Sequence, residues 1–389
     1  MAASAAPLDK SPSRWLVTCS CGWEQRSKSQ LPGPSVGVGF DLPGPFRPVS
    51  PLIVIGQTEA PVDRRVFIGT FAGGLLAAPF VVEAQQAGKI PRIGVLWHAG
   101  SAEEEDPYFT TLLAGFKDLG YVDGRNIAFL HRFPNEVPER FERMAAELVS
   151  LNIDALVSVG SVAPSYAKRA TRTVPVVFIL VADPVGAQLV ETLSRPGGHV
   201  TGLSNISRDL IGKRLQILKE TIPRLSRIAQ LVNPNAPPAP LYIEVTRTAA
   251  AELDLGVQTF QARAVDELGS AFDAIVKAGV QAVTVNPDGV AFQGRALIAR
   301  LALARHLPLA TYSRDTFEVG ALMSYGADHR AICRRGAVYV DKILKGAKPS
   351  ELPVEGPTRF ELLINLETAK ALGLTIAPSL LQRADQVIE

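Results

Sequence analysis

The sequence predicts an α/β protein of two Rossmann-like lobes, each a parallel sheet wrapped by helices, with a ligand cleft between them. Three observations predict it. Strand and helix patterns alternate from Ile90 onward. The central run, Val176 to Val181, is apolar at every position and reads as a buried strand. The alternation also comes as two successive sets of similar size that meet near Leu203. Strands separated by helices imply right-handed crossovers and parallel pairing, and two such sets imply two cores. A chain of 389 residues, 47% hydrophobic and 20% charged, is long enough for two domains.

The elements follow in order. Ile93 to Trp97 reads as a strand, and Phe109, Leu112, Leu113, Phe116 and Leu119 recur at helical spacing before Gly120, a helix-ending glycine. Ile127 to Phe133 alternates as a strand. Phe141, Met144, Ala145, Leu148 and Leu151 mark a helix, and Ala155 to Val159 a strand. After Val181, Asp183-Pro184 reads as a helix start, with the helix ending near Arg195, followed by a Pro-Gly-Gly turn and a short strand. Ile211 to Ile222 is then helical, Ile228 to Val232 a strand, Tyr242 to Leu253 a helix and Val257 to Ala262 a strand. Leu268 to Ala278, Ala282 to Val285, Gly294 to Arg305 and Leu307 to Thr311 continue the pattern, and Ile332 to Ile343 forms one more helical face.

Upstream of this, residues 1–61 show no periodicity, and the Pro and Gly density of LPGPSVGVGFDLPGPFRPVSP disfavours helix and sheet. They are expected to be disordered and non-native, with the true start near Val62. Residues 62–84 read as a signal peptide: Arg64-Arg65 precedes an uncharged apolar run to Val82, and Val82-Glu83-Ala84 approximates a cleavage site before Gln85. Arg64-Arg65-Val66-Phe67-Ile68 also resembles the twin-arginine export pattern.

The run ADPVGAQLVETLSRPGGHVTGLS (Ala182 to Ser204) resembles the signature of the tryptophan- and tyrosine-type periplasmic substrate-binding proteins of ABC transporters. The tail, with KGAKP, LP, INLETAKALGL and ADQVIE, strengthens the likeness. The resemblance implies the type I periplasmic-binding fold, in which the chain crosses between lobes three times. The crossings are expected near Leu203 to Ser207, Ser313 to Ser324 and Ser350 to Pro357. The first lobe is then residues 85–204 plus 324–350, and the second 205–323 plus 351–389.

Ligands of open parallel sheets bind beyond the carboxyl ends of strands, where helix N-termini point N–H groups at the cleft. On the first lobe this selects Trp97, Gly160, Ser161, Val162 and Asp183; on the second, Asn233, Asn235, Asp288 and Ser313, with Tyr325 near a crossing. Ser161 either caps its helix or helps hold a ligand carboxylate. Asp183 and Asp288 serve as helix or turn starts or receive an ammonium. Trp97, Tyr312 and Tyr325 pack internally or stack on a ligand ring, and His98 is a solvated loop residue or a ligand contact.

Several function classes are excluded. Forty basic and 38 acidic residues leave a net charge of +2 without a dense basic block, so nucleic acid is not an expected partner. Cys19, Cys21 and Cys333 make neither a disulfide framework nor a zinc site, and the five histidines share no ligand spacing. Nucleophile-elbow, phosphate-loop, zincin and dinucleotide motifs are missing, so no cofactor and no catalysis are expected. A two-lobed Rossmann-like enzyme remains the alternative, and a regulator of the same fold would need an N-terminal helix-turn-helix. The resemblance to the substrate-binding proteins implies the expected role, a periplasmic, monomeric binding protein that closes over a small molecule, an aromatic or other amino acid, and delivers it to an ABC permease in the inner membrane. If the twin-arginine reading is right, changing Arg64 and Arg65 to lysine abolishes the periplasmic yield; an unchanged yield means general secretion.

Overall fold

The structure, a computed structural model, describes residues 89–389. The expected disordered extension and signal peptide, with Cys19, Cys21 and Arg64-Arg65, lie outside the described residues. Among the described residues, no helix is long and apolar enough to cross a membrane.

The first lobe is built from β1 (Arg92–Leu96), α1 (Ala102–Glu105), α2 (Tyr108–Asp118), β2 (Ala128–Arg132), α3 (Pro138–Ser150), β3 (Ala155–Val159), α4 (Ala163–Ala170), β4 (Val176–Val181) and β5 (Val200–Ser204). Its five strands, in order β2-β1-β3-β4-β5, pair in parallel throughout. Burial on both faces explains the apolar strands: every residue of β3, β4 and β5 is buried.

The second lobe comprises α5 (Ile211–Thr221), β6 (Arg227–Val232), α6 (Ala239–Glu252), β7 (Gly256–Gln261), α7 (Leu268–Lys277), β8 (Ala282–Val285), α8 (Gly289–Gln293), α9 (Arg295–Ala304), β9 (Leu309–Thr311), α10 (Arg314–Glu318) and β10 (Met323–Ala327). The chain then returns to the first lobe as α11 (His329–Leu344) and finishes in the second with β11 (Phe360–Asn365), α12 (Leu366–Ala371), α13 (Pro378–Leu381) and β12 (Gln386–Ile388). The seven strands run β12-β11-β10-β9-β8-β6-β7, and β10–β11 is the antiparallel pair.

The cores lie between sheets and helices. In the first lobe, Leu112 and Phe116 of α2 join Cys333, Ala337 and Val340 of α11 on one face of the sheet, while Phe141, Ala145 and Leu148 of α3 join Ala163 and Ala167 of α4 on the other. In the second lobe, Leu215 and Leu218 of α5 pack with Tyr242 and Ala250 of α6, and Phe272 and Ile275 of α7 pack with Ile298 and Ala302 of α9. Gln230 is buried within β6, yet its amide donates to Tyr242 O at 3.0 Å and Thr246 Oγ1 at 2.9 Å, which removes the penalty of an unpaired polar group.

Two expectations differ from this architecture. No helix forms between Asp183 and Arg195. The N–H groups of Ala187, Gln188, Leu189 and Val190 instead close turns onto Asp183, Val185 and Pro184. Gln188 sits at φ 55°, outside helical space, and Leu189 and Val190 plug the core beside Val354. The second crossing also comes later than Ser324: residues 323–327 form β10, paired with β9 and β11, so the chain leaves the second sheet only after Ala327. An isolated sequence cannot reveal this, because the strand is held by β11, over thirty residues downstream. The first and third crossings touch each other, with Ser204 N–H donating to Glu355 O and Glu355 N–H to Gly202 O.

The return of α11 onto α2 requires close approach. A Cβ on Gly115 would lie 2.5 Å from Arg334 O, whereas one on the helical Gly269 would meet nothing within 4 Å. Gly115→Leu is therefore expected to destabilise the protein by about 1–3 kcal/mol or more, and Gly269→Ala to be neutral or stabilising by up to about 1 kcal/mol. Urea unfolding of both variants measures the difference.

Candidate functional site

Parallel pairing sends the loops after β1, β2, β3, β4 and β8 toward the space between the lobes. A small cavity of about 40 Å³ lies there, lined from the first lobe by His98, Tyr108, Glu136, Gly160, Ser161, Val162 and Leu180, and from the second by Asp288, Gly289, Phe292 and Tyr312, with His329 and Asn205 beside the crossings. Four of the sequence-selected residues, Gly160, Ser161, Val162 and Asp288, are brought together here.

The loop after β3 is set by its glycine. Gly160 has φ 91° and a Cβ there would stand 2.7 Å from the His98 ring, so both backbone and space require glycine. The helix cap is Val162, without a side-chain cap bond, so Ser161 does not cap α4 by its hydroxyl. Among the described residues, neither Ser161 nor Val162 has an acceptor for its backbone N–H. Two donors and the positive end of α4 thus face the cavity. Leu180, with φ 66°, marks a register shift between β4 and β5. Its carbonyl accepts from Asn205 Nδ2 at 3.1 Å.

Opposite this donor end lie carboxylates. Asp288 caps α8, its Oδ1 accepting from Ala291 N at 2.8 Å and its Oδ2 from Asn233 N at 3.4 Å. Burial pushes its pKa up to about 6 even though these N–H groups pull it down. Glu136 comes from the loop after β2. Burial, then the charges of Asp288 and Glu105, push it up to about 8. Glu105 is fully buried and accepts from His98 N and Ala99 N, both at 2.7 Å. His98 stands between the acids, Nε2 3.5 Å from Glu105 Oε2 and Nδ1 3.6 Å from Glu136 Oε1.

Aromatic rings close the space. Phe292 stacks on Tyr108 at 4.7 Å and meets the His98 ring edge-on at 5.1 Å. Tyr108 Oη donates to Asp315 Oδ2 at 2.8 Å and lies 3.1 Å from His329 Nδ1. Burial lowers the His329 pKa to about 4, so that ring is neutral. Arg295 Nη2 donates to Asp106 O at 2.9 Å and Gln293 Nε2 to Asn135 Oδ1 at 3.4 Å. Each of these pairs, Tyr108–His329 excepted, joins one lobe to the other.

The remaining candidates lie elsewhere. Trp97 is fully buried in a stack with Phe109, His131 and Phe133, its indole N–H donating to His131 Nδ1 at 3.1 Å. It is the neighbouring His98 that lines the cavity. Asp183 is engaged by Arg208 Nη1 at 2.6 Å and accepts from Gly186 N at 2.9 Å. It lines an adjoining hollow of about 430 Å³ with Ser161, Ser165, Val181, Ala182, Pro237, Pro238 and Leu241. Asn233 Oδ1 accepts from Asn235 N, and Asn235 is exposed; this is turn chemistry. Ser313 is buried against Thr316, and Tyr325 packs on the second core while its carbonyl accepts from Arg214 Nε.

Glu136, Tyr108 and Phe292 were not among the residues selected from sequence. Glu136 had a signal: Phe133 to Val137 follows a strand, as the chosen loops do, but PNEVP reads as a plain turn. Tyr108 and Phe292 carried none, because an aromatic residue at the start or middle of a helix looks like core.

Comparison with known proteins identifies the family and the fold. A family model described as "ABC transporter substrate binding protein" matches residues 104–388. A tyrosine-binding protein of Clostridioides difficile (strain R20291) is 24% identical over 263 residues, covering 67% of this chain and 75% of that protein. The crystal structure of a conserved domain protein from Vibrio cholerae aligns with a TM-score of 0.73 at 29% identity, over 77% of this chain and all of the other. An ABC domain from Streptococcus pneumonia in complex with L-Trp aligns at 0.69 and 27%, over 77% of this chain and 99% of that one. The two lobes have the type I periplasmic-binding fold. Since the family model spans both lobes, all the chain crossings and every cavity residue except His98, the chain belongs to the ABC transporter substrate binding protein family.

Proposed function

We propose that this protein is the solute-binding component of an ABC importer, working as a monomer in the periplasm, and that it captures an amino acid with an aromatic side chain by hinge closure and presents it to the permease in the inner membrane. The observation that carries this reading is the pairing, across one interlobe cavity, of a helix N-terminus with unused N–H groups and a set of carboxylates that, among the described residues, lack a basic partner from Lys or Arg. An amino acid has the complementary ends: its carboxylate suits the N–H groups of Ser161 and Val162, and its ammonium suits the acidic side.

The size of the cavity supports a ligand whose side chain lies outside it. About 40 Å³ holds roughly one water molecule, so the α-carbon end of the ligand parts the walls slightly and the ring lies outside them. Ser161 borders both this cavity and the hollow of about 430 Å³, which is within the usual size of ligand pockets, roughly 300–1,000 Å³, and has Val181, Pro237, Pro238 and Leu241 as apolar lining. The relatives named for tyrosine and solved with L-Trp support a ring of that kind. The contacts from Tyr108 to Phe292 and Asp315 exist only when the lobes meet, so a ligand bound by both walls shifts the population toward closure.

Gly160→Ala adds a Cβ at positive φ against His98, tilts the donor end away, and is expected to weaken L-tryptophan binding at least tenfold, about 1.4 kcal/mol. Leu241→Trp fills the hollow and is expected to cost L-tryptophan a similar factor. Titration calorimetry on both variants checks the two ends of the site separately, and unchanged affinity in the second would remove the hollow from the ligand's path.

A further inference from the structure

Glu136 differs from every other acid near the cavity. Asp288 and Glu105 have backbone N–H donors, and Asp183 has Arg208. The Glu136 carboxylate has no hydrogen-bond donor among the described residues; its nearest polar neighbour is His98 Nδ1 at 3.6 Å. That imidazole is itself only 5% exposed and lines the cavity, and among the described residues its Nδ1 has no hydrogen-bond partner. Glu136 belongs to the first lobe but reaches the second: a Cβ on Gly289 would fall 1.8 Å from Glu136 Oε1. The groups that face it are His98 and Glu105 from its own lobe and Asp288 from the other, with Tyr108, Tyr312 and His329 further along the lining. None is a lysine or arginine.

We propose that Glu136 is the receptor for the ligand's cationic amine and the gate of lobe closure: the lobes shut when an ammonium, or in its place a proton, neutralises the charge that Glu136 brings against Asp288. The inference rests on the closure reading above and deepens it. Two ionised carboxylates from opposite walls repel strongly once water is excluded. An ammonium placed between them removes the repulsion and supplies the donors that Glu136 lacks. A ligand without an amine leaves the repulsion in place, so the same residue that binds the cation rejects its uncharged analogues.

The sign of the pH effect follows. Closure raises the Glu136 carboxyl to about 8 from an ordinary value near 4.3 in the open, solvated cleft. The closed form then holds the proton more tightly, and ligand-free closure is favoured as the pH falls through about 8, levelling off once the open form is protonated too. Hydrogen exchange of the full chain without ligand, corrected for intrinsic rates, reads closure at residues 161–163 and 289–292. Protection there is expected to rise about tenfold or more from pH 8.5 to pH 6 in the parent. Glu136→Gln, which keeps the shape without the charge, is expected to lose this rise and keep only the roughly twofold change that Asp288, pushed up to about 6, contributes near pH 6. It should also lose at least tenfold in affinity for L-tryptophan while binding indole-3-propionate, which has no amine, better than the parent does. A Glu136→Gln protein whose protection still follows pH as the parent's does, or whose L-tryptophan affinity is unchanged, overturns the gate. Failure of the parent to bind L-tryptophan would overturn the amino-acid reading alone, since the ligand-free measurement needs no ligand.

Discussion

A parallel strand can be re-entered only from the end where its predecessor began, and the rest of this structure depends on that constraint. Each crossover passes over one face of a sheet and delivers the next strand in the same direction, so the carboxyl ends of β1, β2, β3 and β4 all open on one side. The second sheet does the same with β6, β8 and β9. Loops that are remote in sequence, after residues 96, 132, 159 and 285, are thereby gathered around one cavity without any direct preference for one another.

The electrostatics of the cavity come from what that gathering excludes. Its acidic side chains are largely taken out of bulk water, yet the surrounding guanidinium groups are engaged elsewhere, Arg295 over the Phe292 ring and on Asp106 O, Arg208 with Asp183 and Asp209, and Arg330 with Asp315 and Glu318. Backbone N–H groups compensate Asp288 and Glu105. Glu136 is left to burial and its acidic neighbours, which is why it departs furthest from an ordinary carboxylate. The same low-dielectric setting gives weight to the Tyr108–Asp315 hydrogen bond between lobes, because a phenol donating to a buried carboxylate has no water to compete with.

The crossings add a mechanical feature. Leu203 and Glu355 pair as a parallel bridge, and Glu355 is held in turn by Arg335 Nε and Nη2 at 2.8 and 2.9 Å. Two of the three connections are therefore joined side by side, with α11 attached to them. In the proposed closure this confines motion to a narrow set of backbone positions and keeps both cores unchanged.

Most of the longer elements up to α11 were legible in the sequence, because apolar strands such as 155–159 and 176–181 and amphipathic helices such as α3 and α7 carry their burial pattern locally, whereas the short helices α1, α8 and α10 and the closing elements β10, β11, α12, α13 and β12 were not read. Two features of the candidate cavity also had local signals: Gly160-Ser161 after one strand, and the turn sequence around Asp288 after another. What the sequence could not determine is which polar groups face one another. Asp183 and Asp288 look alike as Asx starts, but one finds Arg208 and the other an acidic cavity; Trp97 and His98 are adjacent, but one turns into an aromatic stack and the other into the cleft. Only the tertiary structure decided those partners, because the energy of a buried charge depends on groups that folding brings within a few ångströms and that the linear chain leaves scores or hundreds of residues apart.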